Sequence, residues 1–225
     1  MEKPWKTAIT KATEEETIIR GYELTELIKK VTFIEAIFLV LKGELPTKNE
    51  GRMLDAILVS CIDHGIAPPS VVATRTVLSG GNPLNTAVGA GILTLGESHG
   101  GAIEQCAKIL QEIVKGKIET EDFIKKSCEK KERIPGYGHK IYTQDPRTAA
   151  LLKIAKELGF TGKYVQAALG IEAALEKIKG KKLCLNVDGA IAAIVSEMGF
   201  DYQLGKGFFI ISRVVGLVAH AREEM

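Results

Sequence analysis

Several things are scarce in this 225-residue sequence, and each scarcity closes off a class of explanation. Charge of one sign is absent: 30 Lys and Arg against 28 Asp and Glu leave +2, too little for general attraction to nucleic acid or anionic lipid. Long apolar runs are absent too. The greasiest stretch, Phe208 to Ala219, is interrupted by Arg213, and Met1-Glu-Lys-Pro-Trp-Lys lacks the apolar segment of a signal peptide. We therefore expect no membrane partner and a cytoplasmic location. The four cysteines, Cys61, Cys106, Cys128 and Cys184, stand far apart, with no C-x-x-C pair and no histidine at metal-ligand spacing. That pattern argues against a metal site and for a reducing compartment. Repeats and low-complexity tracts are also missing, and 45% hydrophobic with 26% charged residues excludes disorder. The length suits one domain, or two small lobes sharing a core.

What is present is mostly helical period. Ile103, Cys106, Ala107, Leu110, Ile113 and Val114 fall on one face, as do Tyr164, Ala168, Ile171, Leu175 and Ile178. Thr32 with Glu35, and Thr47 with Glu50, have the spacing of capping boxes. Thr17-Ile-Ile-Arg-Gly21 is the one convincing strand. The fold class expected is all-α, with at most one short N-terminal strand or hairpin. Two stretches resist either period: Ser79-Gly-Gly-Asn-Pro83 and Arg133-Ile-Pro-Gly-Tyr-Gly-His139. Loops of unusual backbone tend to carry function.

Three of the four histidines, His64, His99 and His139, adjoin glycine, which lets a ligand come close to the backbone. Asp188 is a single acid in an otherwise apolar stretch, Leu183 to Ile194. Its carboxylate is either a partly desolvated base or the N-cap of a helix starting at Ala190. Arg147 and Arg213 border apolar sequence, where guanidinium groups usually meet a carboxylate, either the protein's own or a substrate's. An acid or base, imidazole donors and carboxylate-binding arginines together suit carbon-acid chemistry on a polycarboxylate.

Ordered motifs sharpen this. Ile19-Arg-Gly-Tyr-Glu-Leu24, Gly43-Glu-Leu-Pro-Thr47, Gly96-Glu-Ser-His-Gly-Gly-Ala102, Pro135-Gly-Tyr-Gly-His139, Asp145-Pro-Arg147, Asn186-Val-Asp188 and Ser212-Arg213 cover nearly the whole chain. In content and order they resemble the citrate synthase superfamily. Only Lys48 to Ile62 separates the Pro46-Thr47 motif from Asp63-His64-Gly65. That compactness resembles citryl-CoA lyase and the citrate-synthase-homology module of ATP-citrate lyase, rather than full-length synthases with their long helical insertion.

The resemblance implies a two-lobed helical domain, the large lobe about 1–102 with 199–225 and the small lobe about 103–198. It implies His99, His139 and Asp188 as catalytic, and His64, Arg147 and Arg213 as binding the substrate's carboxylates. Ile134, Pro135, Gly136, Tyr137, Gly138 and Lys140 would surround CoA, with Lys131, Arg133 and Lys182 as further phosphate candidates. The CoA thioester is a substrate, and no permanently bound cofactor or metal is implied. The activity implied is cleavage of citryl-CoA to acetyl-CoA and oxaloacetate. Alternatives are condensation of those two to citrate and CoA, or a non-catalytic CoA- or citrate-binding subunit. A homodimer or higher homo-oligomer is implied, and a separate partner that forms citryl-CoA is compatible with the lyase reading.

Overall fold

The computed structural model describes residues 6–130, 132–139, 142–180 and 183–225, which fall into two compact units divided between Asp55 and Ala56. In the first unit, β1 (Thr10–Ala12), β2 (Thr17–Ile19) and β3 (Tyr22–Glu23) form an antiparallel sheet in sequential order. Lys11 pairs with Ile18, and Ile18 with Glu23. The expected strand is thus the middle of a three-stranded meander. The turn after it, Arg20-Gly21, has positive φ at both residues, 49° and 89°, which matches the twist of a tight hairpin. Arg20 is held there because its Nε and Nη2 both donate to the Val40 carbonyl, at 3.1 and 2.9 Å. β1 carried no signal, because Thr10-Lys-Ala12 is polar and exposed throughout.

Helices α1 (Leu24–Lys30) and α2 (Phe33–Lys42) follow, and α3 (Lys48–Cys61) runs from this unit into the next. Both capping boxes form. The Glu35 N–H donates to Thr32 Oγ1 while its carboxylate receives the Thr32 N–H, and Glu50 with Thr47 repeats the exchange. Each satisfies N-terminal donors that a helix otherwise leaves open.

The second unit contains α4 (Pro69–Ser79), α5 (Leu84–Leu93), α6 (Ala102–Val114), α7 (Thr120–Glu129), α8 (Pro146–Leu158), α9 (Lys163–Lys179), α10 (Val187–Glu197), a 3-10 turn (Tyr202–Leu204) and α11 (Gly205–Glu224). At its centre is α10, apolar on every side and buried at nine of eleven residues, as a helix without a polar face must be. It packs on α6, α8 and α9. The buried stripe of α6 is Ile103, Cys106, Ala107, Leu110 and Gln111, and that of α9 is Val165, Ala168, Ile171 and Leu175. Tyr164 and Ile178 sit half-buried at the edge of the α9 stripe. Gln111 Nε2 donates to Ser196 Oγ and the Phe200 carbonyl, fastening α6 to the end of α10.

Helix α11 packs on α4 and α5, where Val71, Val88 and Leu217 form a fully apolar cluster. With the 3-10 turn it is the one helix among the described residues long and apolar enough, by length and composition, to cross a membrane. Its face of Phe208, Phe209, Ser212, Arg213, Gly216, Leu217 and Ala221 is instead buried within this unit. All four cysteines are free thiols.

Candidate active site

Every histidine, arginine and acid singled out in the sequence lies in the second unit, and local rules place each one. Helix α10 begins at Val187, earlier than the Ala190 start expected, and its N-cap is Asn186, whose Oδ1 accepts from the N–H groups of Asp188 and Gly189. The capping reading of Asp188 is therefore replaced. Asn186 does that work, and the Asp188 carboxylate is left to face other groups. Burial raises its pKa above the ordinary carboxylate value, Arg147 opposes that rise, Asp145 adds to it, and Arg213 and His139 oppose it further.

Arg147 is oriented by Asp145, which is fully buried. Asp145 Oδ1 accepts from the Arg147 backbone N–H and Nε, and Oδ2 from Nη2 at 2.9 Å and from the N–H of Val187. Against the upward push of burial, these bonds hold Asp145 below the usual carboxylate range. Arg213 is 3% exposed. Its Nε donates to the Cys61 carbonyl, its guanidinium stacks 4.7 Å from the Phe209 ring, and its Nη1 is buried without a partner. An unpaired, buried guanidinium nitrogen is costly unless an anion completes it.

His64 follows α3 on an exposed loop shaped by Asp63. Asp63 Oδ2 accepts from the Gly65 N–H, and Oδ1 lies 3.0 Å from Nε2 of His220 on α11. His99 is half-buried, with Nε2 2.9 Å from the hydroxyl of buried Ser70 and its ring edge-on to Phe209. Nδ1 of His139 accepts the Tyr142 N–H at 3.1 Å, so the neutral ring carries its hydrogen on Nε2.

His139 closes the loop 133–139, which zips onto 184–186. The Gly138 N–H donates to the Cys184 carbonyl, the Asn186 N–H to the Gly136 carbonyl, and Tyr137 pairs with Leu185. Beside this loop lies a cavity of about 720 Å³ lined by Ile134, Tyr137, Gly138 and His139, together with Cys128, Arg133, Lys179 and Leu183. The Tyr137 hydroxyl is taken up by the Ala168 carbonyl. Gly136 is buried against Cys106 and Gly189, and Pro135 is half-buried. Lys140, Lys131 and Lys182 lie outside the described residues.

These groups form one electrostatic cluster. Partial desolvation, then Arg147, Arg213 and His139, push the His64 pKa below its ordinary value. Desolvation, then Arg213 and His64, do the same to His99. The two buried thiols beside Asp188 are pushed up, Cys61 to about 11 and Cys106 to about 12, chiefly by burial and then by that carboxylate. A protonatable acid, neutral imidazoles and unsatisfied guanidinium converge, which permits proton transfer at a carbon next to a bound carboxylate.

The profile of the citrate synthase C-terminal domain matches residues 48–225. The chain belongs to the citrate synthase family. Citrate synthase 2 of Bacillus subtilis is 32% identical over 213 residues, covering 92% of this chain and 56% of that protein. The citryl-CoA lyase structure from Hydrogenobacter thermophilus is 56% identical, with a TM-score of 0.94 over 99% of this chain and 87% of that one. The ATP citrate lyase structure from Methanothrix soehngenii shares the fold, with a TM-score of 0.87 at 24% identity over 99% of this chain and 39% of that one. The chain spans about half the length of the curated citrate synthases it matches, 56% for the Bacillus subtilis protein.

Within this citrate synthase family site, residue-by-residue reading missed Ser70, Asp63 with His220, and the bridging role of Asn186. Only the last had a local signal, an Asn directly before an apolar helix. The two depressed histidines also make a prediction. A depressed folded pKa favours the neutral ring, so the stability it gives is present above the unfolded value of about 6.5 and is lost as pH falls below it. Denaturant midpoints at pH 8 and pH 5.5 should fall less between the two for the double variant His64→Asn, His99→Asn than for the native chain; an equal fall would contradict the cluster. Asp63 titrates below this window and does not confound it.

Proposed function

We propose that this chain is a citryl-CoA lyase, cleaving citryl-CoA to acetyl-CoA and oxaloacetate. The observation that carries the proposal is Asp188, a buried carboxyl at the start of α10 with Arg147, Arg213 and His139 as its charged neighbours, while the same Arg147, Arg213 and His139 act on His64. The 56% identity to a citryl-CoA lyase supports the lyase over the synthase reading, as does the direct run of α3 into Asp63-His64.

Cleavage moves one proton from the hydroxyl of the citryl group to the carbon that becomes the acetyl methyl. In this reading His139 takes the hydroxyl proton, the carbon–carbon bond breaks to leave oxaloacetate and the enolate of acetyl-CoA, and Asp188 delivers a proton to the enolate carbon. His99, held by Ser70, donates to the thioester oxygen while it bears charge. Arg213 Nη1, Arg147 and His64 hold the carboxylates, and the 134–139 backbone with Arg133 borders CoA. A small lobe of about 103–198 closing on the remainder would tighten His139 and Asp188 against His99 and Arg213. Exposed Val72 on α4 with Val215 and Val218 on α11 support a homodimer, and the free thiols support a cytoplasmic setting. A separate protein would make the citryl-CoA.

One observation favours a second reading, condensation to citrate. The Tyr142 N–H occupies Nδ1 of His139, so a neutral ring carries its hydrogen on Nε2, the donor form that an oxaloacetate carbonyl calls for, whereas accepting the hydroxyl proton there requires that contact to be released. Purified protein given citryl-CoA, with oxaloacetate and free thiol followed together, separates the two. Oxaloacetate without thiol is expected; thiol released with citrate would establish the synthase, and neither product would overturn both.

A further inference from the structure

We propose that Asn186 is a positioning residue that ties the His139 loop to the helix bearing Asp188, so that the two proton-transferring groups keep one spacing. This rests on the lyase reading for its catalytic meaning, and on hydrogen bonds for its substance. Asn186 uses both ends of its side-chain amide. Oδ1 accepts from the N–H groups of Asp188 and Gly189 at 3.0 and 3.2 Å, and Nδ2 donates to the Gly138 carbonyl at 2.9 Å. The orientation of the amide is fixed by its partners: two donors on one side demand the oxygen there, and a carbonyl on the other demands the nitrogen.

Its backbone joins the same two elements. The Asn186 N–H donates to the Gly136 carbonyl, and its own carbonyl receives the Ala190 N–H. Asp145 takes the Val187 N–H, Asn186 itself takes those of Asp188, Gly189 and Ala190, and the two remaining donors of Asn186, its backbone N–H and Nδ2, go to the loop that carries His139. A cap on a surface helix needs only the oxygen, as serine supplies it. Here the amide nitrogen performs a second task that neither Ser nor Asp can copy, and Gly138 directly precedes the ring it steadies.

The test separates capping from bridging. Asn186→Ser keeps an acceptor for the α10 N–H groups but has no donor that reaches Gly138. Asn186→Asp keeps the cap and sets a second acceptor against the Gly138 carbonyl. Both should unfold near the native denaturant midpoint, whereas Asn186→Ala, which loses the cap as well, should not. For citryl-CoA cleavage, kcat should fall about 10- to 100-fold in Asn186→Ser, on the scale of an ångström's misplacement, and further in Asn186→Asp, with KM little changed. Amide hydrogen exchange over 133–139 should quicken in both variants while 190–197 stays protected. Native exchange in that loop, or a quickened loop with native kcat, would overturn the proposal. If the unmodified chain does not cleave citryl-CoA, the lyase reading fails, and the exchange measurement still decides whether Asn186 holds the loop.

Discussion

Asp188→Asn should lower citryl-CoA turnover by about 10²- to 10⁴-fold, the range a positioned acid or base contributes, and at pH 7 should raise the stability of the fold. Both follow from the same placement. A carboxyl whose folded pKa is raised gives stability that is fully present below its unfolded value of about 3.9 and lost as pH climbs through the folded value. At neutral pH the unfolded chain carries this charge freely while the native fold resists it, and asparagine removes that penalty while keeping the shape. Denaturant midpoints should be higher for Asp188→Asn at pH 7 and should converge with the native chain toward pH 3.5. Calorimetry should still find oxaloacetate binding, because Arg147 and Arg213 are untouched. Retained turnover would remove Asp188 from the chemistry. A lower midpoint at pH 7 would mean that Arg147 and Arg213 outweigh burial.

Gly136→Ala should be the most destabilising single methyl in the loop. Gly136 sits at φ 85°, and a Cβ there would lie 2.7 Å from Cys106 Sγ and 2.8 Å from the Gly189 Cα. The left-handed backbone costs about 1–2 kcal/mol for a residue with a Cβ. Overpacking adds about 1–3 kcal/mol, because Gly189 is backbone of α10 and cannot swing aside. Gly138→Ala is the matched control: its φ is 86°, and its nearest neighbour would be a Leu183 methyl at 3.6 Å. It should show the conformational cost without the clash. Unfolding of the two variants should differ by the packing contribution, and turnover should fall about 100-fold in Gly136→Ala as His139 moves relative to Asp188. Equal midpoints for both would show that the loop and α10 separate freely.

Helices with one apolar stripe, such as α6 and α9, were legible because burial imposes a period of 3.6 on the residues themselves. Thr32-x-x-Glu35 and Thr47-x-x-Glu50 were legible because each box is closed within four residues. The sheet was read only at β2, since β1 is polar, exposed and held by a partner rather than by its own pattern. The candidate site divides the same way. Histidines beside glycine, an acid in apolar sequence and arginines in greasy surroundings are local anomalies, so they stand out in a linear reading. Ser70 supporting His99, and His220 supporting Asp63, connect residues 29 and 157 apart. No spacing rule reaches such pairs. Gly136 shows the limit in another form. The loop stands out in the sequence for its glycines, but that this one faces Cys106 and Gly189 depends on the packing of α6 and α10.

The attachment of α11 bears on the order in which the candidate site residues come together during folding. Arg213 meets the Cys61 carbonyl across a separation of 152 residues, and Arg75 meets Glu224 across 149. Asn186 meets Gly138 across only 48. Closing the longer loops costs more chain entropy, and contacts so distant in sequence form slowly. The His139 loop and the start of α10 are therefore expected to pair early, with the arginine of α11 and the imidazole of His64 joining at the final closure. An intermediate halted before that step would have the His139 loop joined to the start of α10 yet lack the arginine and imidazole proposed to grip a carboxylate, and on the proposed mechanism it would be inactive.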